Sequence, residues 1–138
     1  MIRLEKNKLD VDSYLHLRAC VNWKVLQYQQ AEKAISNSLY IVTAYYGDEL
    51  VGMGRIVGDG AVICYVQDLI VLPAYQSKKV GFIILDELVA YVEDLRLDNS
   101  TMMLCLMCAK GREPFYLKHG FIARPTDNLG PGMIQYLR

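Results

Sequence analysis

No run of about 18 apolar residues occurs in these 138 residues, and no charged stretch followed by an apolar core opens the chain. Neither a membrane span nor a secretory leader is predicted. An excess of either charge is also missing: 15 basic residues balance 15 acidic ones, for a formal net charge of zero. Long-range attraction to nucleic acid or to an anionic membrane is therefore not expected, and no DNA- or RNA-binding motif stands out. Internal repeats, low-complexity tracts and linkers are absent, which predicts one domain over residues 1–138. A soluble, cytoplasmic protein is expected.

Metal ligands are scarce. There are two histidines, His16 and His119, and four cysteines, at positions 20, 64, 105 and 108. The Cys105–Cys108 spacing resembles half of a zinc or redox site. Yet Met102-Met103-Leu104-Cys105-Leu106-Met107-Cys108 is continuous apolar sequence, which suits a buried strand. Residues three apart on a strand point to opposite faces, so these two thiols could not share a metal. No second CxxC exists, and no metal or disulfide is predicted. Both histidines read as surface or helix residues.

What the chain has is apolar content, 53% against 22% charged residues, enough to place it among globular folds. Met1–Glu5 is a strand candidate. Asp10 to Val21 and Tyr28 to Asn37 read as helices, the first capped by Asp10 or Asp12. Leu39 to Tyr46 is a β-prone run, Gly47-Asp48 a hairpin turn, and Glu49 to Val57 the returning strand. After Gly58-Asp59-Gly60, the stretch Ala61 to Leu72 is long for one strand and predicts a bulge or bend. A helix follows over 82–97, with Leu85, Leu88, Val89 and Val92 on one face and Asp86, Glu87, Glu93 and Asp94 on the other. Then come a strand over 102–108, a short helix over 112–119 closed by Gly120, and strands at Phe121–Ala123 and Met133–Leu137. An α+β fold is implied, with an antiparallel front half joined to a βαβ unit. The apolar strand Met133–Leu137 could pair across a homodimer.

The most informative stretch is Val66 to Gly81: an apolar strand, a proline stop, then a short basic loop with Lys78 and Lys79 leading into a helix. A loop entering a helix exposes unpaired N–H groups and the positive end of the dipole, a seat for phosphate. The acidic residues of the helix fall outside its first turn. The loop lacks the Gly-Lys-Ser/Thr of a P-loop and the GxGxxG of a dinucleotide fold, which leaves a nucleotide-binding module as the weakest alternative.

Two motifs carry a resemblance. Leu69-x-Val71-x-Pro73-x-Tyr75-Gln76-x-x-x-x-Gly81 is similar to the strand and pyrophosphate loop of the GNAT superfamily of acetyl-CoA dependent N-acetyltransferases. Pro114-Phe115-Tyr116-Leu117-Lys118-His119-Gly120-Phe121 is similar to that family's late helix-to-strand segment. The resemblance spans the chain, and the closing Phe121-Ile122-Ala123-Arg124-Pro125 and Gly130-Pro131-Gly132-Met133 are similar to small bacterial members. It implies one GNAT-type domain, a mixed and mostly antiparallel sheet of six to seven strands with about four helices. One departure is Lys79, standing where the family's first loop glycine falls. A non-glycine costs on the order of 1 kcal/mol there if φ is positive, and its charge could meet the pyrophosphate instead.

By that resemblance acetyl-CoA is the cosubstrate and a small-molecule or peptide amine the acceptor, with no metal. Leu69, Ile70 and Val71 would hold the pantetheine arm, and the amides of Gln76, Ser77, Lys78, Lys79, Val80 and Gly81 the pyrophosphate. Tyr116 would act as general acid toward the thiolate, and Asp68 is the candidate general base. A buried carboxylate tied to a neighbouring loop is the competing reading of Asp68. Trp23, Arg55 and Tyr65 would line the acceptor pocket. A non-catalytic acyl-CoA sensor on the same scaffold is the alternative to an enzyme.

Overall fold

A computed structural model describes residues 1–138. Met1–Cys105 and Leu106–Arg138 form two compact units, taken in turn.

In the first unit the order is β1 (Ile2–Lys6), α1 (Val11–Cys20), α2 (Tyr28–Ser36), β2 (Tyr40–Tyr46), β3 (Glu49–Gly58), β4 (Ile63–Val71), α3 (Val80–Leu95) and β5 (Met103–Leu106). Asp10 caps α1 as expected: its backbone is extended and its carboxylate accepts from Ser13 N at 2.8 Å. The strands line up in the order β1-β2-β3-β4-β5, and the first four pair antiparallel. Asp59 builds the β3–β4 turn by accepting from the amides of Ala61, Val62 and Ile63 at 2.9–3.0 Å. Those bonds, Ile63 first, hold its carboxyl below its ordinary pKa.

Helices cover both faces of the sheet. On α3 the buried residues are Val80, Ile84, Leu85, Leu88 and Val92, while Asp86, Glu93 and Asp94 are exposed. The helix lies close on β3 because Gly52 and Gly54 lack side chains. A Cβ at Gly54 would stand 2.8 Å from Leu88 Cδ1 and 2.9 Å from Ile84 Cγ2. The opposite face carries α1 and α2 over a core of Tyr14, Leu17, Ala31, Met53 and Ile70. No helix is long and apolar enough to cross a membrane. No group of three or more His, Cys, Asp or Glu side chains is placed to hold a metal ion, and all four cysteines are free.

The second unit holds α4 (Glu113–Lys118), closed by Gly120 at φ 84°, the left-handed C′ residue the sequence predicts. Here the strand count departs from expectation. The sheet has five strands, not six or seven. Phe121–Ala123 and Met133–Leu137 form no strand. Strand propensity is mostly a response to neighbours on a half-buried surface, and residues 122–138 are all exposed.

Candidate functional site

The expected irregularity lies in the middle of β4. Register pairs Met53 with Ile70 and Arg55 with Gln67, so Gly54 alone faces both Asp68 and Leu69. This is a β-bulge, and Asp68 takes it up at φ 56°, a conformation that aspartate tolerates better than most side chains. Residues paired across the ladder share a face. Gln67 thus lies with Arg55 on the α1/α2 side, and Asp68 follows it there instead of alternating away.

Asp68 is buried, at 4% exposure, and its carboxylate is fully engaged. Oδ2 accepts from the Tyr14 hydroxyl and from Arg55 Nε at 2.8 Å. Oδ1 accepts from Arg18 Nη1 at 3.0 Å and Gln67 Nε2 at 3.3 Å. An ionised carboxyl has about four lone-pair sites, and here four donors point at them. Taking a substrate proton would break one of these bonds beside two guanidiniums. The carboxylate joins α1 to β3 and β4, the geometry of the competing reading in which it is a buried anchor. Burial, then the hydrogen bond to Asp68, raises the Tyr14 hydroxyl above its ordinary pKa, so the phenol remains a donor.

Arg55 moves with it. Its Nη1 donates to Ser38 Oγ at 3.1 Å and to Ala34 O at 3.4 Å, which spends the guanidinium on the end of α2 and the residues after it. Arg55 itself is buried, at 8% exposure. Trp23 is half-buried with the Arg18 guanidinium 5.4 Å from its ring centroid, and Arg18 Nη2 donates to Lys24 O at 2.9 Å. The α1–α2 connection is thereby tied to the same cluster. Tyr65, opposite Val57, is half-buried on the same face as Gln67. Sequence reasoning missed Tyr14 and Arg18. A carboxylate inside an apolar strand demands a cation, and on α1 these two sit at i and i+4, facing one direction.

At the far end of β4 the chain passes through a short 3-10 turn, Pro73–Tyr75, before α3. Tyr75 donates to Glu49 Oε1 at 2.8 Å and Gln76 Nε2 to Val71 O at 3.0 Å, which fastens the turn to the strands behind it. Lys79 is the N-cap of α3 at φ 64°, ψ 16°, and no side chain caps the helix. The amides of Val80 and Gly81 in the first turn have no intrahelical acceptor, and that turn contains no acidic residue. Ser77, Lys78 and Lys79 are exposed. β5 runs beside only the first half of β4. Met103 N donates to Val62 O at 3.0 Å and the Cys105 thiol to Cys64 O at 3.7 Å, and the strand then ends after four residues. Leu69–Val71 therefore have no β5 residue on their outer edge.

The left-handed Lys79 answers the question its identity raised. Replacing it by glycine removes the Cβ conflict, so Lys79→Gly is expected to stabilise the chain by up to about 1 kcal/mol despite the greater freedom of unfolded glycine. Urea denaturation checks this, and a lower midpoint for the variant would refute it.

Within the second unit, Tyr116 is half-buried among aromatic rings, with centroids 5.0 Å from Phe115 and 5.8 Å from Phe121, both edge-on. Burial first, then the neighbouring Cys108, pushes its hydroxyl up to about 12, with Arg112 acting against them. It keeps its proton throughout the neutral range. His119 Nδ1 lies 2.9 Å from Phe115 O, in keeping with a helix-end role.

Residues 9–121 match the sequence profile of the Acetyltransferase (GNAT) family. Among solved structures, a GNAT-family acetyltransferase from Streptococcus pneumoniae is 33% identical with a TM-score of 0.84, covering 100% of this chain and 99% of its own. A Staphylococcus aureus protein of unknown function, a probable acetyltransferase, is 29% identical with a TM-score of 0.85, covering 99% of this chain and 100% of its own. Glucosamine-6-phosphate N-acetyltransferase from Arabidopsis thaliana shares the fold at 11% identity and a TM-score of 0.73, covering 100% and 99%. No curated protein matches.

Proposed function

The chain belongs to the acetyltransferase (GNAT) family, and on that premise we propose that it moves an acetyl group from acetyl-CoA to a primary amine by direct attack within a ternary complex. The observation that carries the proposal is the end of β4: an uncapped helix N-terminus free of acidic residues, entered through a left-handed basic turn, beside a strand edge that β5 does not cover. Diphosphate suits the first, because helix N–H groups and dipole favour anions. An extended amide chain suits the second, as an added strand would.

Bound acetyl-CoA supplies an acetyl thioester. On the protein's side, the amides from Gln76 through Gly81 line the diphosphate seat, with the Lys78 and Lys79 ammonium groups free to approach it. The Leu69–Val71 edge aligns the arm. An N–H of Leu69 or Ile70 meets the oxygen on which negative charge develops, a donor typically worth about 3 kcal/mol. Holding both reactants side by side provides much of the remaining rate. Tyr116 gives its proton to the departing thiolate. The amine's proton leaves through water held by Tyr65 or Gln67, since Asp68 has no lone pair to spare. Asp68 and its partners instead fix the bulge that positions Leu69 and Ile70. Trp23, steadied by Arg18, walls the acceptor side.

Acetyl-CoA at about a hundred times its dissociation constant should add about 2.7 kcal/mol of stability, a clear rise in melting temperature. A melting curve unmoved by millimolar acetyl-CoA would remove the proposal at its first step.

A further inference from the structure

Charge does not balance on the α1/α2 side of the sheet. Arg18 and Arg55 share the one carboxylate of Asp68, at 3.0 and 2.8 Å. The other partners of that carboxylate, Tyr14 and Gln67, are neutral. One positive charge is therefore in excess. Donors are left over as well. Arg18 spends Nη1 on Asp68 and Nη2 on Lys24 O, and its Nε, although buried, has no acceptor.

Within the first unit, the helices packed around the cluster supply no second anion. The α1–α2 connection, residues 21–27, contains no acidic residue and adds Lys24, which is exposed. On α1 the acids are Asp10 and Asp12, at the opposite end of the helix, about 12 and 9 Å from Arg18 along its axis. Asp10 is engaged there with Ser13. On α2 the only acid, Glu32, is exposed and is followed directly by Lys33. The negative end of the α1 dipole offsets about half a charge, not a whole one.

Excess charge in a mostly buried cluster favours an anion that can reach it. Arg18 is the point of access. Its side chain is 12% exposed, it lies in the last turn of α1, and its guanidinium stands 5.4 Å from the Trp23 ring centroid. Resting on the acetyl-transfer reading, in which Trp23 walls the acceptor side, we propose that the acceptor is a primary amine that also carries an anionic group, a carboxylate or a phosphate, received by Arg18 and Lys24. Arginine suits both anions, because its planar fork of donors matches their oxygens. The same positive field works against the ammonium form of the acceptor, which has to lose its proton before it attacks. A polyamine is repelled at each of its charges, whereas an amino acid or amino phosphate brings the missing one.

Acceptors matched in all but the anion test this: glycine, leucine, glutamate and phenylalanine, each against its α-carboxamide, and phosphoethanolamine against ethanolamine, with spermidine as the cationic control. The carboxamide has the less basic amine and offers more of the free form, so an advantage of the carboxylate is not an effect of amine basicity. The anionic members of one series should be preferred about tenfold or more in kcat/KM, and the series that shows it separates carboxylate from phosphate. The preference should shrink at high salt. Arg18→Gln should nearly abolish it by penalising only the anionic member, and Arg18→Lys should restore most of it. Lys24→Gln, at an exposed position that leaves the fold alone, should lower it as well. Neutral amines or spermidine used equally well or better overturns the proposal, as does a loss in Arg18→Gln shared equally by both members of a pair. Where no amine turns over but acetyl-CoA raises the melting temperature, an anionic member should raise it further and its neutral partner should not; equal shifts overturn the proposal. A melting temperature unmoved by acetyl-CoA removes the acetyl-transfer reading itself, and this inference with it.

Discussion

Asp68→Ala is expected to lower the melting temperature by about 10 °C or more. The substitution removes one carboxylate and strands two arginines. Arg18 and Arg55 have side chains only 12% and 10% exposed, and each loses its single charged partner. Breaking a buried ion pair from one side typically costs about 3–5 kcal/mol, because the remaining charge is left without compensation. For a chain of this length 1 kcal/mol corresponds to about 3–5 °C. Tyr14 loses its acceptor too, and the left-handed residue at the bulge becomes alanine, which tolerates that conformation less well than aspartate. Replacing the whole cluster differs from breaking it: Asp68→Leu with Arg18→Met and Arg55→Met should recover much of the loss, since well-packed apolar side chains often match a buried ion cluster. The same variants separate an anchor from a base. With Asp68 as an anchor, Asp68→Asn should lose stability while its folded fraction still turns over. A fully stable Asp68→Asn with turnover reduced a thousandfold would return the proton-accepting role to this carboxyl.

The cluster also shows where sequence reading succeeds and where it stops. Hairpins, helices and the bulge were legible because each rests on local chemistry: Gly47-Asp48 between β-prone runs, Asp10 before α1, a segment too long for one flat strand. The uncapped, basic entry to α3 was legible for the same reason, since a loop and the helix it enters are contiguous. Partnerships across the chain were not. Asp68 meets Tyr14 and Arg18 from 54 and 50 residues away, and only the packing of α1 on the sheet brings them together. Arg55 looks like any strand arginine until Gln67 is known to lie opposite it. The last strands failed differently. Met133–Leu137 has the composition of a strand, but composition fixes only what a segment could pair with, and pairing needs a neighbour.

Tyr116→Phe should lower turnover by about 10²–10⁴-fold while leaving acetyl-CoA binding and the melting temperature nearly unchanged. The substitution removes one oxygen and keeps the ring, so the edge-on contacts with Phe115 and Phe121 survive. The hydroxyl it removes is unusual in one respect: burial holds its proton up to about 12. A phenol so protected stays loaded as a donor at every pH where an amine substrate is partly free, and general-acid assistance is typically worth that range of rate. The cost should fall on kcat with little change in KM, the pattern of an interaction made only in the transition state. Two results would count against it. Turnover within a few-fold of the parent would leave Tyr116 a packing residue with a polar tip. Absence of turnover in the parent over a broad amine panel, with acetyl-CoA still raising the melting temperature, would favour an acyl-CoA sensor in which the diphosphate seat of α3 is retained and the proton donor has no task.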